Sequence, residues 1–109
     1  MRIYKDHLIL SGSKVKEALV ALNELSQDAI LFVVDSDDKL IGALTDGDVR
    51  RGLIKGYSID SCIDEIIQDN PRFIIKGENN LEKIIEYREG DFRILPVVDE
   101  KNRVVNVIN

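Results

Sequence analysis

The chain has one cysteine in 109 residues, Cys62, so no disulfide can form within it. A chain without a disulfide framework suits a reducing compartment, and the expected localisation is cytoplasmic. Long apolar runs are missing too. Residues 29–34 form one of the longest, far short of the roughly 20 residues that span a bilayer, so no membrane association is expected. The opening MRIYKDHLIL lacks the apolar core and small-residue cleavage site of a signal peptide. Positive charge is not in excess. With 15 Lys and Arg against 20 Asp and Glu the net charge is −5, which argues against a general nucleic-acid binder. His7 is the only histidine, and no Ser, Cys or Asp constellation accompanies it as a triad would require, so its expected role is at the surface or in packing. No nucleophile–base pair and no phosphate-cradling glycine loop stands out, so the chain is not expected to be an enzyme by itself.

What is present is a balanced composition, 44% hydrophobic and 32% charged, as in one small globular domain or two half-domains sharing a core. The densest chemistry lies in residues 40–52, LIGALTDGDVRRG. An apolar strand ends at Thr45, and a polar knot follows with Asp46, Gly47, Asp48, Arg50 and Arg51. Thr45 or Asp46 is the expected N-cap of a helix, because short oxygen-bearing side chains accept the unpaired N–H groups of a first turn. A helix N-terminus also suits a phosphate.

The remaining chain reads in order. Leu8, Ile9 and Leu10 suggest a short strand, broken by Ser11-Gly12-Ser13. Ser13 is the expected cap of a helix carrying Val15, Ala18, Leu19, Leu22 and Leu25 on one face. Residues 29–34 and 40–44 read as a hairpin of buried strands around the turn 35–39. After Thr45, Val49, Leu53 and Ile54 share a helical face, which Gly56 ends. Ile59, Ile63, Ile66 and Ile67 predict a short amphipathic helix, with Cys62 a small buried hydrophobe beside its stripe. Residues 72–76 predict a strand, and Asn79 or Asn80 a cap for a helix bearing Leu81, Ile84 and Ile85. Residues 93–98 and 104–108 predict two more strands, with Pro96 at an edge or a bulge because it has no N–H to donate.

The chain also repeats itself. LFVVDSDDKLIGALT lies over LPVVDEKNRVVNVIN, with Val33, Val34 and Asp35 falling on Val97, Val98 and Asp99 at an offset of 64. Strand, helix, strand, turn, strand therefore occurs twice. The second copy stops at Asn109, the position of Thr45 in the first, and the expectation is that the chain belongs to a longer protein.

This doubled unit, with the string VVDSDDKLIGALTDGDVRR in its first copy, resembles a tandem pair of CBS domains, also called a Bateman module. The resemblance implies an α+β fold of two repeats, residues 1–56 and 57–109, packed sheet to sheet about an approximate two-fold. The second repeat departs from the pattern by lacking the final helix and a Thr-x-x-Asp element of its own. The resemblance also implies a homodimer through the CBS helices and a ligand between the repeats, an adenosine nucleotide such as AMP, ADP or ATP. The stretch LIGALTDGDVRRGLIKG resembles the N-terminal CBS pair of sugar-phosphate nucleotidyltransferases, which implies a catalytic domain after Asn109. A similar string occurs in CBS pairs of sugar-phosphate isomerases, and that alternative stays open.

Carried onto this chain, the family pattern implies Thr45 for phosphate and Asp48 for ribose hydroxyls. The chemistry agrees, since a carboxylate accepts from vicinal hydroxyls while a hydroxyl and helix N–H groups serve phosphate. Arg50 and Arg51 would add phosphate charge, with Asp46 beside them. Ile9, Leu10, Leu31 and Phe32 are the expected apolar slot for adenine. The opposing structural reading makes Thr45 and Asp46 caps only and Asp48 a solvated first-turn acid. Asp46 and Asp48 as a metal-binding pair is a weaker reading, because two carboxylates do not define a Mg²⁺ site. The acidic turn 35–38 lacks the glycine and distal glutamate of an EF-hand and reads as a solvated hairpin turn.

Overall fold

The computed structural model describes residues 3–78, 80–90 and 94–109. In it the apolar runs become two three-stranded sheets. The first has the order β1 (Leu8–Leu10), β2 (Ile30–Val34), β3 (Leu40–Thr45). The second has the order β4 (Ile74–Ile75), β5 (Leu95–Val98), β6 (Val104–Ile108). In each, the first strand is parallel to the middle one, which pairs antiparallel with the third. Helix α1 (Val15–Leu25) crosses from β1 to β2, and α3 (Leu81–Glu89) crosses from β4 to β5. Helix α2 (Asp46–Ile54) follows β3. This is the α+β, two-repeat architecture the sequence leads one to expect.

Strand β2 is apolar throughout because both of its faces are buried. Leu31 and Val33 pack with Val15, Ala18, Leu22 and Leu25 of α1 and Val49 of α2. Phe32 and Val34, on the opposite face, pack with Leu40 and Ala43 of β3 and with Val98 and Val104 of the second sheet. A bulge helps set this second layer. Val33 pairs with Gly42 and Val34 with Leu40, so Ile41 is the extra residue and Leu40 joins the face of Ala43. The second repeat has the same irregularity, with Val97 on Asn106 and Val98 on Val104.

The two hairpin turns are near copies. Asp35 Oδ1 accepts from the N–H groups of Asp37 and Lys39, and Asp99 Oδ1 from those of Lys101 and Arg103. Asp38 and Asn102 take the same left-handed conformation, φ 64° and 65°. The turns also meet. The Leu40 N–H donates to Asn102 O at 3.0 Å, and the Val104 N–H donates to Asp38 O at 2.8 Å. Each bond maps onto the other under the offset of the repeat, so this junction carries the approximate two-fold axis.

Several local expectations need correction. Ser13 does not cap α1; Lys14 holds the cap position without a side-chain bond. The segment joining the repeats supplies the acceptors, Ser61 O for Val15 N–H and Ile59 O for Lys16 N–H. The helix expected over Ile59 to Ile67 is only a 3₁₀ turn, Ile63–Glu65, because this segment is held by pairing with the start of α1. Cys62 is half-buried rather than buried. Leu53 and Ile54 do not join Val49 in the core and are 42% and 78% exposed, while Asp48 and Gly52 are buried with Val49. Gly52 is required by a close approach: a Cβ there would lie 2.6 Å from Ile66 Cγ2. Pro96 lies in the middle strand of its sheet, buried, and is tolerated because β4 begins only opposite Val97. Strand β4 is shorter than the 72–76 expected. Asn80 holds the cap position of α3, but its amide donates to Ile75 O and Glu78 O instead of capping. Asn79 and Arg93 lie outside the described residues.

Candidate functional site

Thr45 ends β3 and begins α2, and its extended backbone turns the strand into the helix. Its Oγ1 accepts from the Asp48 N–H at 3.3 Å. Asp48 answers through Oδ2, which accepts from the Thr45 N–H at 2.9 Å and the Thr45 hydroxyl at 3.0 Å. This is a capping box with Thr45 as the N-cap, and it leaves Asp48 buried rather than the solvated acid of the opposing reading. The other carboxylate oxygen, Oδ1, accepts from Arg51 Nη2 at 2.7 Å and from Gln68 Nε2 at 2.9 Å. Burial pushes the Asp48 carboxyl up, but the bonds from Gln68, Arg51 and Thr45 outweigh it and hold the group below the ordinary carboxylate value.

Asp48 stands at the wall of a 360 Å³ cavity between the repeats. Thr45, Arg51, Phe32 and Ile30 line it from the first repeat, and Ile94 from the second. Gln68 to Arg72 close a further side. The volume falls within the range of small-molecule clefts, and the lining combines apolar surface with two carboxylates, Asp48 and Asp69, a hydroxyl and the guanidinium groups of Arg51 and Arg72.

Of the residues marked in the sequence, the structure brings Thr45, Asp48, Arg51 and Phe32 to this cleft. It does not bring the others. Leu31 points to the helical core, and Ile9 packs against the same core. Leu10 is 54% exposed at the outer edge of its sheet. Asp46 and Arg50 line a different surface with Leu19, Leu53 and Ile54. His7 is buried, and its Nδ1 lies 2.9 Å from Ile30 O, the packing role expected of it. Gln68, Ile30 and Ile94 were not apparent as site residues. Ile30 shares strand parity with Phe32, which is a usable signal. Gln68 reaches Asp48 from 20 residues away, with no signal in the sequence.

The CBS domain model matches residues 8–55. An uncharacterised protein of Helicobacter pylori strain J99 is 31% identical over 103 residues, 94% of this chain and 31% of that protein. Arabinose 5-phosphate isomerase GutQ of Salmonella typhi is 24% identical over 111 residues, 94% of this chain and 35% of that protein. The chain thus spans about a third of the length of these curated relatives. Among solved structures, the CbpB protein of Listeria monocytogenes in complex with c-di-AMP aligns with a TM-score of 0.78 at 21% identity, covering 100% of this chain and 84% of that one. A CBS domain protein of Pyrobaculum aerophilum complexed with AMP aligns with a TM-score of 0.76 at 13% identity, covering 100% and 82%. At these identities the likeness is one of fold. Among the described residues no helix is long and apolar enough to cross a membrane.

Proposed function

We propose that the chain, whose residues 8–55 match the CBS domain model and whose fold is that of a solved CBS domain protein, is a regulatory module that senses an adenosine nucleotide between its repeats. The observation that carries this reading is the cleft itself. It joins Phe32 and Ile94 as apolar walls to Thr45, Asp48 and Arg51 as polar partners, and both repeats contribute to it. Adenine would lie against Ile30, Phe32 and Ile94, the ribose hydroxyls at Asp48, and the phosphate at Arg51 and Thr45. Solved neighbours with AMP and c-di-AMP support the ligand class. Because the cleft is shared, a ligand that prefers one arrangement of the repeats shifts their relative orientation and so biases an attached domain.

Calorimetric titration with AMP, ADP, ATP and c-di-AMP tests this. At a hundredfold excess over its dissociation constant the true ligand raises stability by about 2.7 kcal/mol. Absence of heat and of any thermal shift with all four would leave a ligand-free dimerisation module as the better reading. That second reading has its own support in the apolar residues left exposed on α2 and α3, among them Ile54 at 78% and Ile85 at 50%. We accordingly expect a homodimer by sedimentation at tens of micromolar and a monomer for Ile54→Asp. A wild-type monomer at that concentration would count against it.

The attached domain is proposed as a sugar-phosphate nucleotidyltransferase following Asn109, on the strength of the TDGDVRR string. The likeness to GutQ supports the alternative of a sugar-phosphate isomerase. The sequence that accompanies this module in its parent protein decides between them.

A further inference from the structure

A carboxylate that binds a ribose diol must offer it two lone pairs, and a carboxylate has about four in all. At Asp48 four donors already take them: the Thr45 N–H and hydroxyl at Oδ2, and Arg51 and Gln68 at Oδ1. The donors of Thr45 cannot leave without uncapping α2. Arg51 is different, since its side chain is 58% exposed on a flexible stem and can follow a phosphate. Gln68 is different again, because it comes from outside the helix. Its backbone is pinned to β3 by the Ala43 N–H to Gln68 O bond at 3.0 Å and the Gln68 N–H to Ala43 O bond at 2.8 Å. Gly42 permits that approach, since a Cβ there would lie 3.0 Å from Gln68 O. Gln68 is otherwise exposed, so its carboxamide can turn into water while its backbone stays in place. Asp48, Arg51 and Gln68 also line a second cavity of 120 Å³, behind the cleft, that reaches Gly52 and Ile66.

We propose that Gln68 is a latch on the cleft: its carboxamide occupies the acceptor position of Asp48 that a ribose diol takes, and binding has to displace it. This rests on reading the cleft as a nucleotide site. A nucleoside monophosphate matches the latched state group for group. Its diol takes the two positions that Gln68 and Arg51 vacate, and its phosphate gives Arg51 a new partner. Gln68 thereby sets both the threshold of the sensor and its preference for ligands that carry the two groups together.

The test is calorimetric titration of AMP into the wild-type chain and into Gln68→Ala, Gln68→Leu and Gln68→Asn, each checked for folding by circular dichroism. The asparagine amide is one methylene too short to reach Asp48 and keeps the surface polar, so it serves where an apolar variant unfolds. Removal of one hydrogen bond to a charged group is expected to tighten AMP by about tenfold. Binding by the variants where the wild type shows none supports the latch equally. Unchanged or weaker affinity in folded variants overturns the latch and leaves the nucleotide site standing. No binding of AMP, ADP, ATP or c-di-AMP to any of the four proteins overturns both.

Discussion

Asp48→Ala is expected to lower stability by about 2–4 kcal/mol and to abolish AMP binding. About 1 kcal/mol of this comes from the capping box, since Asp48 closes the first turn of α2 onto Thr45. The remainder comes from donors stranded at a buried site, above all the Thr45 N–H, at about 1–3 kcal/mol. Asp48→Asn is expected to be nearly as harmful. All four groups facing the carboxylate donate to it, so an amide NH₂ would meet donors where an acceptor is needed. Urea unfolding at neutral pH measures both variants. An Asp48→Asn variant as stable as wild type would show that the negative charge is not what the four donors require.

The same residue predicts a pH dependence. A carboxyl held below its ordinary value when folded binds protons more weakly in the native state than in the unfolded one. Its stabilisation is therefore complete above the unfolded value of about 3.9 and is lost as pH falls through the lowered folded value. Asp64 and Asp99 act in the same direction. The Ser11 hydroxyl holds Asp64 down against a smaller opposing effect of burial, with further help from the Gly12 N–H. The Arg103 backbone N–H is the main cause at Asp99. Stability should fall on acidification below about pH 4, with a shallower decline in Asp48→Asn.

Phe32→Ala is expected to cost about 3–4 kcal/mol, a large part of the 5–15 kcal/mol typical of a whole domain. Phe32 is 2% exposed and lies in the layer where the two sheets meet, among Val34, Leu40, Val98 and Val104. Phe32 also lines the cleft, so its removal is expected to weaken the cohesion of the repeats and the proposed apolar wall for adenine together. Leu31→Ala, one residue away, supplies the contrast. Leu31 is as deeply buried, but it faces the helices of the first repeat. It should destabilise by a similar amount without altering AMP affinity in the folded fraction. Equal loss of AMP affinity in both variants would contradict the division of β2 into a helix-facing and a cleft-facing side. Denaturant midpoints with calorimetric titration at low temperature separate the two effects.

Much of the candidate site is local enough to be read along the chain. Thr45 and Asp48 stand out in the sequence as a Thr-x-x-Asp element, but the spacing left the cap open between Thr45 and Asp46 and gave no sign that Asp48 is buried. The apolar wall of the cleft was less legible. Phe32 belongs to it and Leu31 does not, yet a strand that is apolar at every position carries no alternation to tell its faces apart. Asp46 and Arg50 are adjacent in sequence to residues of the cleft, but each step along a helix turns by about 100°, and that places them on another surface. Leu53 and Ile54 continue a helical stripe in the sequence, and what they face depends on neighbours that the stripe does not specify.

The sequence by itself determined the repeated strand–helix–strand–strand unit, the two hairpin turns and a helix start at Thr45 or Asp46. Each depends on residues within one turn or one strand pair of one another, and short-range backbone hydrogen bonding decides them. Only the tertiary structure decided which face of β2 looks into the cleft, that the two turns join across an approximate two-fold, and that Gln68 fills the carboxylate of Asp48. Those outcomes depend on where separate segments meet when both faces of a sheet are buried, and local spacing holds no record of that meeting.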